Sequence, residues 1–78
     1  SCEPCPMCLA ACYWARLDRV VFAADRFDAQ RAGFDDAHIY AELARPLDAR
    51  RLPLVHRAVA DRLAPFAAWR DAVARTPY

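Results

Sequence analysis

All four cysteines of this chain fall in its first twelve residues, as Cys2, Cys5, Cys8 and Cys12. A disulfide framework spreads its cysteines so that distant segments are tied together. Neighbours this close would enclose only tiny loops, where cross-linking gains least. A metal site, or thiols kept reduced, fits the cluster better, and either implies a cytosolic setting. Cys5 and Cys8 form Cys-x-x-Cys, with Pro4 and Pro6 flanking the first thiol. Proline is favoured at the first helical position, because the N–H it lacks would be unpaired there anyway. The spacing therefore predicts a helix over 6–16, with the thiols at its mouth. The positive end of a helix lowers thiol pKa values. Two thiolates at such a turn converge on one tetrahedral ion, and zinc is the default.

Cys12, one helical turn past Cys8, reads as a small buried hydrophobe, and Cys2 as the end of a strand. A rival exists for the whole run. Cys2-x2-Cys5-x2-Cys8-x3-Cys12 has the spacing of a bacterial ferredoxin cluster. That run ends in Cys-Pro, whereas Tyr13 follows here, and ligands for a second cluster are missing.

Other chemistry-bearing residues are fewer. Asp35 and Asp36 can cap a helix. His38 on a helix face and His56 on a strand read as surface or satisfied residues. Glu3 lies just ahead of the first helix and reads as a partner of its dipole. Trp14, Phe66 and Trp69 read as core.

The elements that must position these groups follow from local pattern. Leu17-Asp18-Arg19 is a short connection. Val20-Val21-Phe22-Ala23-Ala24 is continuously apolar, which predicts a central, parallel strand buried on both faces. Residues 25–33 are polar and read as a loop or lid. A short helix over 37–43 ends before Pro46. A second strand is expected over 52–59, with Pro53 near its start. Ala64-Pro65 opens a last helix that places Phe66, Trp69 and Val73 on one face. The order is helix, strand, short helix, strand, helix. That is an α/β pattern with too few strands for a doubly covered sheet. At least one strand is expected upstream.

Composition narrows the function. The chain has 78 residues, one domain at most, and 18 of them are alanine. Eleven arginines face ten acidic residues, for a net charge of +1. Such a balance leaves no electrostatic footprint for nucleic acid or anionic membrane. No apolar run approaches the roughly 20 residues that span a bilayer. No basic-then-apolar leader opens the sequence.

Pro-Cys-x-x-Cys is the second half of the signature of zinc-dependent base and nucleoside deaminases. The run Ser1-Cys2-Glu3-Pro4-Cys5-Pro6-Met7-Cys8-Leu9-Ala10-Ala11-Cys12 resembles the cytidine and deoxycytidylate deaminase superfamily, and within it the bacterial guanine deaminases. Further segments carry the likeness. Ala32-Gly33-Phe34-Asp35-Asp36 with Ile39-Tyr40 resembles the segment after the fourth strand of those enzymes. Leu63-Ala64-Pro65-Phe66, Trp69-Arg70 and the terminal Tyr78 resemble their last helix and tail.

The resemblance implies a three-layer α/β/α fold and deamination of guanine to xanthine. Cys5 and Cys8 would bind zinc. Asp36 would accept protons from the departing amine, and Tyr78, on a tail swapped between the copies of a homodimer, would close the purine pocket. The third ligand and the proton shuttle would come from a His-x-Glu motif. Neither His38 nor His56 stands in one. Residues 1–78 are accordingly expected to be the C-terminal half of a cytoplasmic deaminase domain, inactive without the N-terminal half. Two alternatives remain: a non-enzymatic zinc-stapled fragment or interaction module, and an RNA adenosine deaminase, which the near-neutral charge disfavours, or another nucleobase or nucleoside deaminase.

Overall fold

A computed structural model describes residues 1–77. Its four helices are α1 (Pro6–Trp14), α2 (Arg26–Arg31), α3 (Asp36–Leu43) and α4 (Ala64–Asp71), with a single 3-10 turn at Leu47–Ala49. None is long and apolar enough to cross a membrane.

Helix α1 starts where the proline pattern placed it. Cys5 is extended at the N-cap, and Pro6 follows in the first turn. The helix stops because Arg16 turns left-handed, at φ 58°. The Arg16 N–H donates to the Tyr13 carbonyl at 3.0 Å, and the Leu17 N–H to that of Cys12 at 3.4 Å. This pair of bonds is a Schellman cap.

Helix α2 occupies part of the segment expected to be a loop or lid. A reciprocal capping box builds it. The Asp25 carboxylate accepts from the backbone N–H groups of Phe27 and Asp28, at 3.0 and 2.9 Å. The Asp28 carboxylate accepts from the Asp25 N–H at 3.0 Å. Two otherwise orphaned donors are satisfied at each other's end. Polar composition conceals this helix, because nearly all of it faces outward. At its end Gly33 adopts φ 98°. Gly33 and Phe34 then close a second Schellman cap, onto Gln30 and Ala29.

Helix α3 packs on α1 and α2. Its C-terminal carbonyls are held by Arg50, whose guanidinium donates to Leu43 and Arg45. Helix α4 begins as expected at Ala64 but ends before Val73, which is fully exposed, and it packs on none of the others.

Among the described residues no strand ladder forms at 20–24 or 52–59. What exists is one parallel bridge between Cys2 and Ala24. The Ala24 N–H donates to the Ser1 carbonyl at 3.0 Å, and the Glu3 N–H to the Ala24 carbonyl at 2.7 Å. The physical reason is supply of partners. A strand exists only as one side of a ladder, and this chain offers 20–24 a single short neighbour and 52–59 none.

Surface area makes the same point for side chains. The chain exposes 7012 Å². A self-contained protein of 8.8 kDa exposes about 4,800 Å². The radius of gyration is 17.5 Å, where about 11.5 Å is ordinary for this length. Ala29 is the one buried hydrophobe among the described residues. Trp14, Phe66 and Trp69, read as core, are exposed. These apolar faces lie uncovered among the described residues.

Two predictions arise here, both read in a domain complete enough to bury those faces. Gly33 and Arg16 hold the same left-handed turn with opposite suitability. A Cβ on Gly33 meets nothing within 4 Å, so Gly33→Ala costs only backbone strain. It is expected to destabilise by about 1 kcal/mol, and Arg16→Gly to stabilise by a similar amount. Paired thermal unfolding reads both. Secondly, the Asp28 carboxyl sits below its ordinary value, chiefly because it accepts from the Asp25 backbone N–H. A lowered folded-state pKa adds stability that is present above the ordinary carboxylate range and lost as pH falls through the lowered value. Asp28→Asn should flatten the acid limb of the stability curve, measured by denaturant midpoints from neutral pH downward.

Candidate metal centre

The site grows from the first turn of α1. Cys5 is its N-cap residue, so the free N–H groups of Met7 and Cys8 point back at the Cys5 sulfur. Those two backbone donors are the largest causes that hold the Cys5 thiol below its ordinary pKa. Cys8 donates its S–H to Cys5, and this bond with the developing Cys5 charge raises the Cys8 thiol. Both cysteines are free of disulfides. A half-buried thiol beside an exposed one is a donor pair suited to a soft or borderline divalent ion.

The remaining thiols are placed differently. Cys12 lies one turn along α1, half-buried, and its charge disfavours ionisation of Cys8. Cys2 sits on the bridge to Ala24, exposed. Among the described residues no three His, Cys, Asp or Glu side chains converge to hold a metal ion. The four thiols therefore do not form the cage that an iron–sulfur cluster requires. Cys5 and Cys8, brought together at the first turn of α1, are the pair that could hold such an ion.

Asp36 is the first residue of α3, half-buried. Its negative charge is the least of the influences on the thiols and works against ionisation of both Cys5 and Cys8. Asp35 takes the N-cap position without a side-chain cap, so the Asp35-Asp36 pair is not a conventional helix cap. His38 lies 4.0 Å from Glu42 one turn along α3, and His56 is exposed; neither approaches the thiols as a ligand. Tyr78 lies outside the described residues. Two surface grooves lie elsewhere. One runs past Leu9, Cys12, Tyr13 and Val20, the other past His38, Glu42, Arg50 and Leu54. Neither is lined by Cys5, Cys8 or Asp36.

One cluster escaped the sequence reading. Glu3 does not serve the α1 dipole. Its carboxylate accepts from the Arg26 backbone N–H at 2.7 Å, and from that residue's Nε and Nη2 at 3.1 and 2.7 Å. The guanidinium carbon stands 3.6 Å from the centre of the Tyr40 ring. The Tyr40 hydroxyl donates to the Pro4 carbonyl at 2.6 Å. Arg26 holds the Glu3 carboxyl below the usual range. Burial, aided by the Glu3 charge, raises the Tyr40 phenol. The available signal was slight: Tyr40 follows Asp36 by four residues, hence shares its helix face.

With this geometry in view, comparison with known proteins is direct. No family model matches the chain. All 78 residues align with guanine deaminase from Bacillus subtilis at 47% identity, and they span 50% of that protein. The X-ray structure of that guanine deaminase superposes on the whole chain with a TM-score of 0.89, again covering 50% of its length. The chain therefore has the fold of half of a deaminase, and the resemblance carried by Pro4-Cys5-Pro6-Met7-Cys8 extends along all of it.

Proposed function

We propose that this chain, which corresponds along its whole length to half of a guanine deaminase, is the C-terminal half of a zinc-dependent enzyme that converts guanine and water to xanthine and ammonia. The observation that carries the reading is the thiol pair at the N-terminus of α1, with the charge of Asp36 bearing on both sulfurs. Cys5 and Cys8 supply two zinc ligands. The N-terminal half supplies a histidine ligand, the proton-shuttling glutamate of His-x-Glu, and the strands that pair with 20–24 and 52–59 in a three-layer α/β/α domain.

Zinc, when bound, supplies the Lewis acidity that makes water a nucleophile at neutral pH. This chain's residues do the rest of the work on its side of the site. The thiolate pair fixes where that chemistry happens relative to α1. An ionised Asp36 has only acceptor sites, so it suits an amine gathering protons as it leaves C2 of the purine. Tyr78 closes the purine pocket from the swapped tail of a second copy, and the enzyme works as a cytoplasmic homodimer.

Exposed apolar surface favours this reading over a free-standing zinc module. A zinc-stapled domain completes its own ligand set and covers its own core. These residues do neither.

Metal analysis tests the reading. The completed domain, this chain joined to or mixed with its N-terminal half, should hold one zinc ion per copy. The 78-residue chain alone should lose zinc to a mild chelator. Tight, stoichiometric zinc on the short chain would support the interaction module instead.

A further inference from the structure

The metal turn is gripped from outside itself. Glu3, two residues before Cys5, receives three hydrogen bonds from Arg26. Its side chain is only 12% exposed and that of Arg26 32%, so this pair is well shielded for a surface ion pair. A planar guanidinium can meet a carboxylate edge-on and still lay its face on an aromatic ring. Arg26 does both, with Tyr40 as the ring. Tyr40 then returns to the start of the circuit through the carbonyl of Pro4. That carbonyl belongs to the peptide unit that enters Cys5. On the far side Pro6 confines Cys5 to the extended region it occupies, with φ −66° and ψ 167°. Cys5 is held from both directions.

The same circuit ties three elements together. Arg26 is the first residue of α2, Tyr40 lies on α3, and Glu3 and Pro4 lead into α1. Tyr40 is one turn from Asp36 on the same helix face. A single hydroxyl therefore links α3 to the peptide unit ahead of Cys5.

We propose that Glu3, Arg26 and Tyr40 are positioning residues for the metal turn, holding Cys5 in register with Cys8 and Asp36. The inference rests on the reading of Cys5 and Cys8 as metal ligands, and deepens it. None of the three touches the ion. They act through the Pro4–Cys5 peptide.

Tyr40→Phe is the sharpest variant, since it keeps the ring on Arg26 and removes only the hydroxyl. In the completed domain its zinc dissociation constant, read by competition with a chromophoric chelator, is expected to rise about tenfold, the lower end of the effect of outer-shell partners. Arg26→Lys keeps the charge but loses fork and plane, and should weaken zinc at least as much. Cobalt-substituted protein adds a second readout, because a displaced thiolate changes the sulfur-to-cobalt charge-transfer band. If both variants bind zinc within twofold of the parent and leave that band unmoved, the proposal is overturned, whatever happens to their melting temperatures. Failure of the underlying reading looks different. A parent protein that binds no zinc, or that keeps it after Cys5→Ser, removes the metal site and its positioning device together.

Discussion

Cys5→Ser in the completed domain is expected to abolish zinc retention and, with it, guanine turnover. The substitution isolates the metal from the fold. Cys5 occupies the N-cap of α1, and serine is among the best N-cap residues. The helix therefore starts as before, while the sulfur that the Met7 and Cys8 N–H groups draw toward thiolate is gone. A serine hydroxyl does not ionise near neutral pH and is a poor zinc ligand. Turnover should fall well beyond the roughly 100-fold that marks the loss of an outer-shell partner. Metal content measured alongside activity decides the case. A variant that keeps its zinc and loses activity would place Cys5 outside the ligand set.

Asp36→Ala should be nearly as costly for a different reason. Here zinc content is expected to stay near one equivalent while kcat falls about 10²- to 10⁴-fold, the range for losing a proton-handling group. The position makes the separation clean. Asp36 is at the first turn of α3, half-buried, and its charge bears on both thiols. Removing it weakens the favourable acid at a helix start by about 0.3–1 kcal/mol, too little to unfold α3. Parallel loss of zinc and turnover would instead make Asp36 a structural support for the metal turn.

How much of this was legible beforehand depended on range in sequence. The turn that carries the thiol pair was legible because its start is written locally. Proline before and after Cys5 starts the helix, and the first turn's own N–H groups act on the sulfur. The positions of α3 and α4 followed for similar reasons, from Pro46 behind one and Pro65 at the head of the other. Helix α2 was missed because a single buried position, Ala29, carries its packing. Its capping box was nevertheless written in Asp25 and Asp28. The strands at 20–24 and 52–59 were read from their apolar pattern, but ladders need partners, and among the described residues 20–24 has one bridge, to Cys2. Least legible was the circuit of Glu3, Arg26 and Tyr40. It joins residues 23 and 36 positions apart, and no local spacing announces such contacts.

The clearest physical fact about the molecule is how little of it is buried. Among the described residues twenty large apolar side chains are exposed, spread over every element. The chain spans 50% of the Bacillus subtilis guanine deaminase, and the proposed N-terminal half would cover such a surface.

One measurement bears most directly on that account. The chain is mixed with, or fused behind, an N-terminal half carrying His-x-Glu, supplied with zinc, and given guanine, and xanthine and ammonia are followed together. Equimolar release of both from the completed domain, with none from either half alone, is the predicted result. A completed, zinc-loaded domain that leaves guanine untouched would contradict it.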